Sequence, residues 1–377
     1  MATLAAQPAP VLHDKGLDVP LANGNRHYFN YYWLRDNCPT SFDRETRERV
    51  YDIFAEATPP RPAAARIEGA ALVIDWACGH RSTHALDWLA RHAEPGPRHD
   101  PAVLPRTLWY ADHYPRMARF AFDAVSNDRA ALKDWVHALL TQGVALLTGL
   151  PDSDQALTDA ANLIGFPRPT FFGPYFDVRL HVNPDNLAYT AKALELHTDV
   201  PAEDLAPGVQ FLHCRANTVE GGYSLFVDGA AVAADLRREA PEDFRLLCDT
   251  LVPYYNEHDA YDMRARQRVI ELDEHGDVAG VTISQHMADV FDMDQHFLDA
   301  FYPAFCRFGR MLQDPRYVMR FRLNAGECIV FDNHRIVHAR EAFVATSGER
   351  YLHGTYTDRG ELRSRWRVLS GKGRFAA

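Results

Sequence analysis

Proline is the strongest constraint on how this chain can fold. Pro95, Pro97, Pro101 and Pro105 all fall within the polar stretch His92–Pro105. Each lacks a backbone N–H and fixes φ, so neither a helix nor a central strand can run through that stretch. It reads as a linker, and the chain is expected to form two bodies, residues 1–100 and 101–377. A length of 377 residues suits that division.

In the first body, the aromatic-rich stretch Tyr28–Leu34 reads as a strand or buried segment. Leu72–Trp76 and Arg81–His84, joined through Cys78-Gly79, read as a hairpin followed by a short helix at Leu86–Arg91. The second body opens on an amphipathic helix, with Asn127 as its expected cap and Leu132, Trp135, Leu139 and Leu140 at helical spacing. A buried strand is predicted at Gly143–Gly149 and a helix at Asp154–Ile164. After Pro169 short strands dominate, interrupted by helices near Ala230–Cys248 and Asp294–Leu312. Near the end, Glu327–Asp332 reads as an apolar strand, and Asn333-His334 as a turn into Arg335–His338. The predicted class is mainly β with flanking helices: a jelly-roll (double-stranded β-helix) domain behind a small β-rich domain.

Composition narrows the function. Hydrophobic residues at 47% exclude wholesale disorder. Forty basic against 51 acidic residues leave a net charge of −11, which argues against nucleic-acid binding. The longest apolar run, Ala138–Leu150, is broken by Thr141, Gln142 and Gly143, so no membrane span is expected. No basic stretch followed by an apolar segment marks a secretory signal. Six cysteines are scattered rather than densely spaced, which suits a reducing, cytoplasmic setting.

Two motifs place an imidazole beside a carboxylate. His275-Gly276-Asp277 lies in a charged, turn-like stretch and reads as a solvated hairpin tip. His197-Thr198-Asp199 has better company: His338 ends an apolar segment, and Arg350 follows it among Tyr351 and Leu352. Two imidazoles and one carboxylate on one face suit iron(II) with open coordination positions. A buried Arg requires an anion, and its fork suits a carboxylate. Taken alone, His338 reads equally well as a hydrogen-bonded core histidine.

The motifs in sequence are His197-Thr198-Asp199, Pro207-Gly208-Val209-Gln210-Phe211-Leu212-His213-Cys214, Gly221-Gly222, Phe226-Val227-Asp228-Gly229, Phe331-Asp332-Asn333 and His338-Ala339-Arg340. In that order the chain resembles the γ-butyrobetaine hydroxylase branch of the taurine-dioxygenase-like, 2-oxoglutarate-dependent oxygenases. Leu34-Arg35-Asp36-Asn37-Cys38-Pro39 and Gly79-His80 match that branch's N-terminal domain. The resemblance implies that His197, Asp199 and His338 ligate Fe(II). It also implies that 2-oxoglutarate chelates the metal and pairs its distal carboxylate with Arg350. O2 is the other co-substrate, and succinate and carbon dioxide are released as a C–H bond is hydroxylated. Leu212 and Ser224 fall where the family lines the 2-oxoglutarate pocket, although core packing explains Leu212 equally well.

On the substrate side, Phe172, Phe176, Tyr189 and Tyr356 align with the family's aromatic cage for a trimethylammonium group. Asn186 matches a contact to the substrate's anionic end. Where the family has a second Asn, this chain reads Ile283-Ser284-Gln285-His286. That departure tilts the expectation toward 2-(trimethylammonio)ethylphosphonate, with Gln285 and His286 as candidate donors; the alternative is γ-butyrobetaine, giving L-carnitine. Close relatives hold a structural zinc with three cysteines and a histidine. Of that set only Cys38 and His80 remain, with Thr40 and Asp43 nearby, so no zinc is expected. Packing of Tyr31, Tyr32, Trp33 and Trp76 would then hold the first body together. The resemblance also implies a small-molecule substrate and a homodimer. The competing readings are a non-catalytic jelly-roll binding protein and a zinc hydrolase, in which Arg350 and the aromatic set would have no role.

Overall fold

The computed structural model describes residues 9–22, 24–96, 100–181 and 187–371. Its contacts divide the chain into two compact units, Met1–Arg98 and His99–Ala377. No helix among the described residues is long and apolar enough to cross a membrane.

The first unit holds two three-stranded antiparallel sheets, one ending in Arg26–Asn30 and the other built from Pro62–Glu68, Ala71–Trp76 and Arg81–Ala85. The expected strand over Tyr28–Leu34 stops at Asn30. The Asn30 side chain accepts from the Trp33 N–H and starts a helix at Tyr31–Asp36. Tyr31 meets Trp76 edge-on, while Trp33 stacks on both Phe29 and Trp88. Tyr32 takes no part in this core, being 40% exposed. Cys38 Sγ lies 3.1 Å from Thr40 Oγ1 and 3.5 Å from His80 Nε2, and Thr40 and His80 are 3.3 Å apart. A hydroxyl therefore stands within hydrogen-bond reach of both the thiol and the imidazole.

The second unit is a jelly roll of two sheets. In chain order its strands are β1 (Arg119–Ala121), β2 (Val144–Thr148), β3 (Phe176–Val178), β4 (Leu194–His197) and β5 (Val209–Asn217). They continue as β6 (Ser224–Asp228), β7 (Met319–Phe321), β8 (Glu327–Asp332), β9 (Ile336–Arg340) and β10 (Arg350–Thr357). The larger sheet runs β1-β2-β8-β5-β10-β3 and the smaller β4-β9-β6-β7. Side chains alternate between faces. Val209 and Phe211 thus pack outward with Trp135, Leu139, Leu157 and Trp366 of the covering helices. Leu212, Ile329 and Phe331 point inward and meet Phe226, Met319 and Ile336 of the smaller sheet. The smaller sheet's outer face carries Val227 and Val337 into a third cluster with Leu236, Leu247 and Phe308.

Several predicted boundaries move for local reasons. The helix at Arg129–Gln142 is capped by Asp128, whose carboxylate accepts from the Ala130 N–H, and Asn127 instead ends the preceding short helix. The predicted helix over Ala230–Cys248 is two, Gly229–Glu239 and Pro241–Asp249, because Pro241 cannot continue the first. The helix at Asp154 stops at Asn162, short of Ile164. Asp273 Oδ1 accepts from the N–H groups of His275 and Asp277, which makes that pair a hairpin tip as expected.

The chain passes from the larger sheet to the smaller through the corner Asn333–Arg335, between β8 and β9. Arg335 is buried there and donates to both oxygens of buried Asp228, at 2.9 and 2.7 Å, and to the carbonyls of Thr141 and Thr107 at 2.8 Å each. Asp228 also accepts from the N–H groups of Trp109 and Ala230. Gly143, at φ 74°, lets the chain pass: a Cβ there would stand 2.7 Å from Arg335 Cδ. Removing one partner of such a buried pair strands a charge. Arg335→Met is therefore expected to cost about 3–5 kcal/mol of unfolding free energy, measured by denaturant titration. A loss below about 1 kcal/mol would contradict this role for the pair.

Candidate active site

β4 ends at His197, which lies opposite His338 of β9. Asp199 falls beyond the strand, so strand alternation is not what brings its carboxylate beside His197. Two backbone devices do so. Asn333 accepts from the Asp199 N–H at 2.7 Å and donates to the Asp199 and Pro207 carbonyls at 3.0 Å each. Val200, buried against the cavity, takes φ 56°, a left-handed conformation that strains a β-branched residue. The Thr198 N–H donates to the Ile283 carbonyl, and its hydroxyl accepts from the Ile283 N–H.

His197 Nε2 lies 3.1 Å and His338 Nε2 3.6 Å from Asp199 Oδ1. Nδ1 of His197 is engaged with the Glu195 carbonyl at 2.8 Å, which leaves Nε2 facing the carboxylate. Donor atoms from all three residues lie within 4.8 Å of one another. Tyr356 donates to Asp199 Oδ2 at 2.7 Å and leaves Oδ1 turned toward the imidazoles. Burial alone would raise the Asp199 carboxyl, but His338, His197 and Tyr356 outweigh it and hold the carboxyl well below the usual range. Burial, reinforced by His197, pushes His338 down to about 3, so its imidazole is neutral. Two imidazoles, that of His338 neutral, around one ionised carboxylate are a donor set that suits a divalent metal.

The cavity over this triad is lined by residues of both sheets, among them Leu212, Ser224 and Arg350. Arg350 is buried, and among the described residues no carboxylate pairs with it. Burial, with help from Arg340, lowers its guanidinium to about 9. Phe172, Phe176, Tyr189, Tyr356 and His286 also line the cavity. The Phe176 ring stacks on Tyr356 at 5.1 Å, and Gly354 makes that possible, because a Cβ there would lie 2.3 Å from the Phe176 ring. Tyr189 stacks on His181 at 4.1 Å. His286 stands T-shaped on His197 at 5.0 Å, whereas Gln285 is not among the residues lining the cavity. Asn186 lies outside the described residues.

Residues 104–356 match the model of the taurine catabolism dioxygenase TauD, TfdA family. The chain belongs to that family. Within it, a γ-butyrobetaine dioxygenase of Pseudomonas sp. (strain AK-1) is 38% identical over 363 residues, 94% of each chain. The human γ-butyrobetaine dioxygenase is 30% identical, covering 89% of this chain and 90% of its own. A mitochondrial trimethyllysine dioxygenase of Bos taurus is 26% identical, covering 95% and 86%. These relatives put the protein in the γ-butyrobetaine hydroxylase-like branch. Among solved structures, the non-heme iron oxygenase OrfP in complex with Fe and alpha-ketoglutaric acid aligns with a TM-score of 0.48 at 12% identity, over 63% of this chain and 84% of its own. This TauD/TfdA-family protein is a 2-oxoglutarate-dependent dioxygenase that works with iron.

Asn333, Gln210 and Arg340 lie inside the motifs, yet residue type and spacing alone give them no role. Gln210 lines the cavity from the same face of β5 as Leu212, and its buried Oε1 has no hydrogen-bond partner among the described residues. The i, i+2 relation to Leu212 was the signal available for it. Asn333 carried no such signal, because its partner Asp199 lies far away in sequence. Asn333→Ala is expected to weaken Mn(II) or Fe(II) binding about 10–100-fold, as loss of a group orienting a ligand does. Calorimetry at equal protein foldedness measures it, and unchanged affinity would remove Asn333 from this role.

Proposed function

We propose that this dioxygenase hydroxylates a small trimethylammonium zwitterion, with γ-butyrobetaine as the first candidate. The observation that carries the reading is the aromatic wall of Phe172, Phe176, Tyr189 and Tyr356 in the same cavity as the His197–Asp199–His338 triad. A quaternary ammonium has no N–H to donate, so aromatic faces are its natural partners, each worth about 0.5–2 kcal/mol. The names of the relatives support the same substrate class.

His197, Asp199 and His338 would hold the iron, and Arg350 would pair the distal carboxylate of 2-oxoglutarate beside Leu212 and Ser224. When bound, the iron supplies the redox chemistry that couples 2-oxoglutarate decarboxylation to C–H hydroxylation. The protein's share is orientation and exclusion of water. Tyr356 keeps Asp199 Oδ2 occupied, Asn333 fixes the Asp199 backbone, and the apolar walls shed solvent from the reacting carbon.

One observation favours a second reading, 2-(trimethylammonio)ethylphosphonate. Of the departing tetrapeptide, Ile283 and Ser284 are buried and Gln285 lies off the cavity, but His286 lines it and adds a polar nitrogen for a larger anionic head. Incubating the protein with Fe(II), ascorbate, 2-oxoglutarate and each zwitterion tests both. Succinate and a product heavier by one oxygen are expected with γ-butyrobetaine at the higher kcat/KM. A higher kcat/KM for the phosphonate would make that the substrate. Succinate release that neither compound stimulates would end the trimethylammonium reading. The resemblance also implies a homodimer, and light scattering that returned a monomer at assay concentration would refute it.

A further inference from the structure

Arg340 is buried and lines the cavity, yet no carboxylate among the described residues partners it. Its guanidinium is given over to backbone. Nη1 donates to the Ala188 carbonyl at 2.9 Å, and Nη2 to the Thr190 and Lys192 carbonyls at 2.7 Å each. Its Nε–H is buried without an acceptor among the described residues, and there every hydrogen bond of the guanidinium serves this one segment.

Residues 187–192 lie outside any strand, and no sheet ladder holds them. Their remaining carbonyls are anchored piecemeal. Leu187 accepts from Thr190, Tyr189 from the His181 N–H at 3.1 Å, and Ala191 from the Phe343 N–H at 3.1 Å. Three of the anchors come from one side chain. A guanidinium presents five donors in a rigid plane, so it can stand in for a missing strand neighbour as an amide or an ammonium cannot. Burying an uncompensated cation is costly, and an exposed loop needs no such support. The segment does carry Tyr189 into the cavity wall. Attraction between a cation and a ring depends on where the ring face stands.

We propose that Arg340 is a positioning residue for substrate recognition: through the carbonyls of Ala188, Thr190 and Lys192 it sets the segment that presents the Tyr189 ring to the substrate's quaternary ammonium group. The proposal rests on the trimethylammonium reading above. Arg340 acts through Tyr189 and touches neither metal nor co-substrate in this role.

A double-mutant cycle on the iron-loaded enzyme decides it, using whichever zwitterion is hydroxylated. Tyr189→Leu and Arg340→Gln are each expected to raise the zwitterion's KM roughly tenfold while the KM for 2-oxoglutarate stays within about twofold. The double variant should be no worse than the worse single one, because both changes remove the same contact. Multiplying losses, or equal losses for zwitterion and 2-oxoglutarate, would overturn the proposal. Should Arg340→Gln fail to fold, Arg340→Lys takes its place in the same cycle with the same criterion. The isostere 5,5-dimethylhexanoate, which has an uncharged quaternary carbon in place of the ammonium nitrogen, run as a competitor of the unmodified enzyme, separates the two readings. If it binds as tightly as γ-butyrobetaine, the cation reading fails, and the cycle repeated on isostere binding still judges whether Arg340 acts through Tyr189.

Discussion

The buried ion pair of Arg335 and Asp228 holds the point on which this fold turns. The chain must leave the larger sheet after β8 and enter the smaller one as β9, and the corner between them exposes backbone groups that no sheet can satisfy. Arg335 closes that corner by reaching Asp228 at the end of β6 and the carbonyls of Thr107 and Thr141. Asn333, two residues earlier, reaches the other way and fixes Asp199 by both its N–H and its carbonyl. His338 follows three residues after Arg335 on β9. One corner therefore sets the height of two of the three side chains that could hold a metal, and its stability and the precision of the site are coupled.

Three buried arginines on or beside β9 and β10 differ in what satisfies them. Arg335 has a carboxylate, Arg340 has three carbonyl dipoles, and Arg350 has neither among the described residues. Of these three, Arg350 is the one that no protein group matches among the described residues. Asp199 shows the converse: burial disfavours its charge, but two imidazoles and the Tyr356 hydroxyl more than restore it. The site thus brings together an ionised carboxylate and an unmatched guanidinium, each in a charge state that its surroundings set.

Most of the architecture was legible because it follows from local rules. Apolar runs at Glu327–Asp332 and around Val144–Thr148 are strands, and Pro241 divides a helical stretch by the chemistry of its own ring. The candidate metal triad of His197, Asp199 and His338 was legible through spacing and through the order of motifs, and the fold brings its donor atoms within 4.8 Å of one another. Asp199 does not owe its place to strand alternation, since β4 ends before it and a strained Val200 with a distant Asn333 holds it instead. Gln285 and His286 were indistinguishable as letters, but a single turn at Gln285–Met287 puts His286 in the cavity lining and leaves Gln285 out of it.

The sequence by itself determined the residue types: two imidazoles, a carboxylate, an unmatched arginine and a set of aromatics, in an order that names a family. Those choices are covalent and local, so periodicity and spacing report them. Only the tertiary structure decided how they are held. The partners of Asp199, Arg335 and Arg340 lie more than a hundred residues away in sequence. Such hydrogen bonds leave no pattern in the chain, because any buried donor can serve any acceptor that folding brings within about 3 Å.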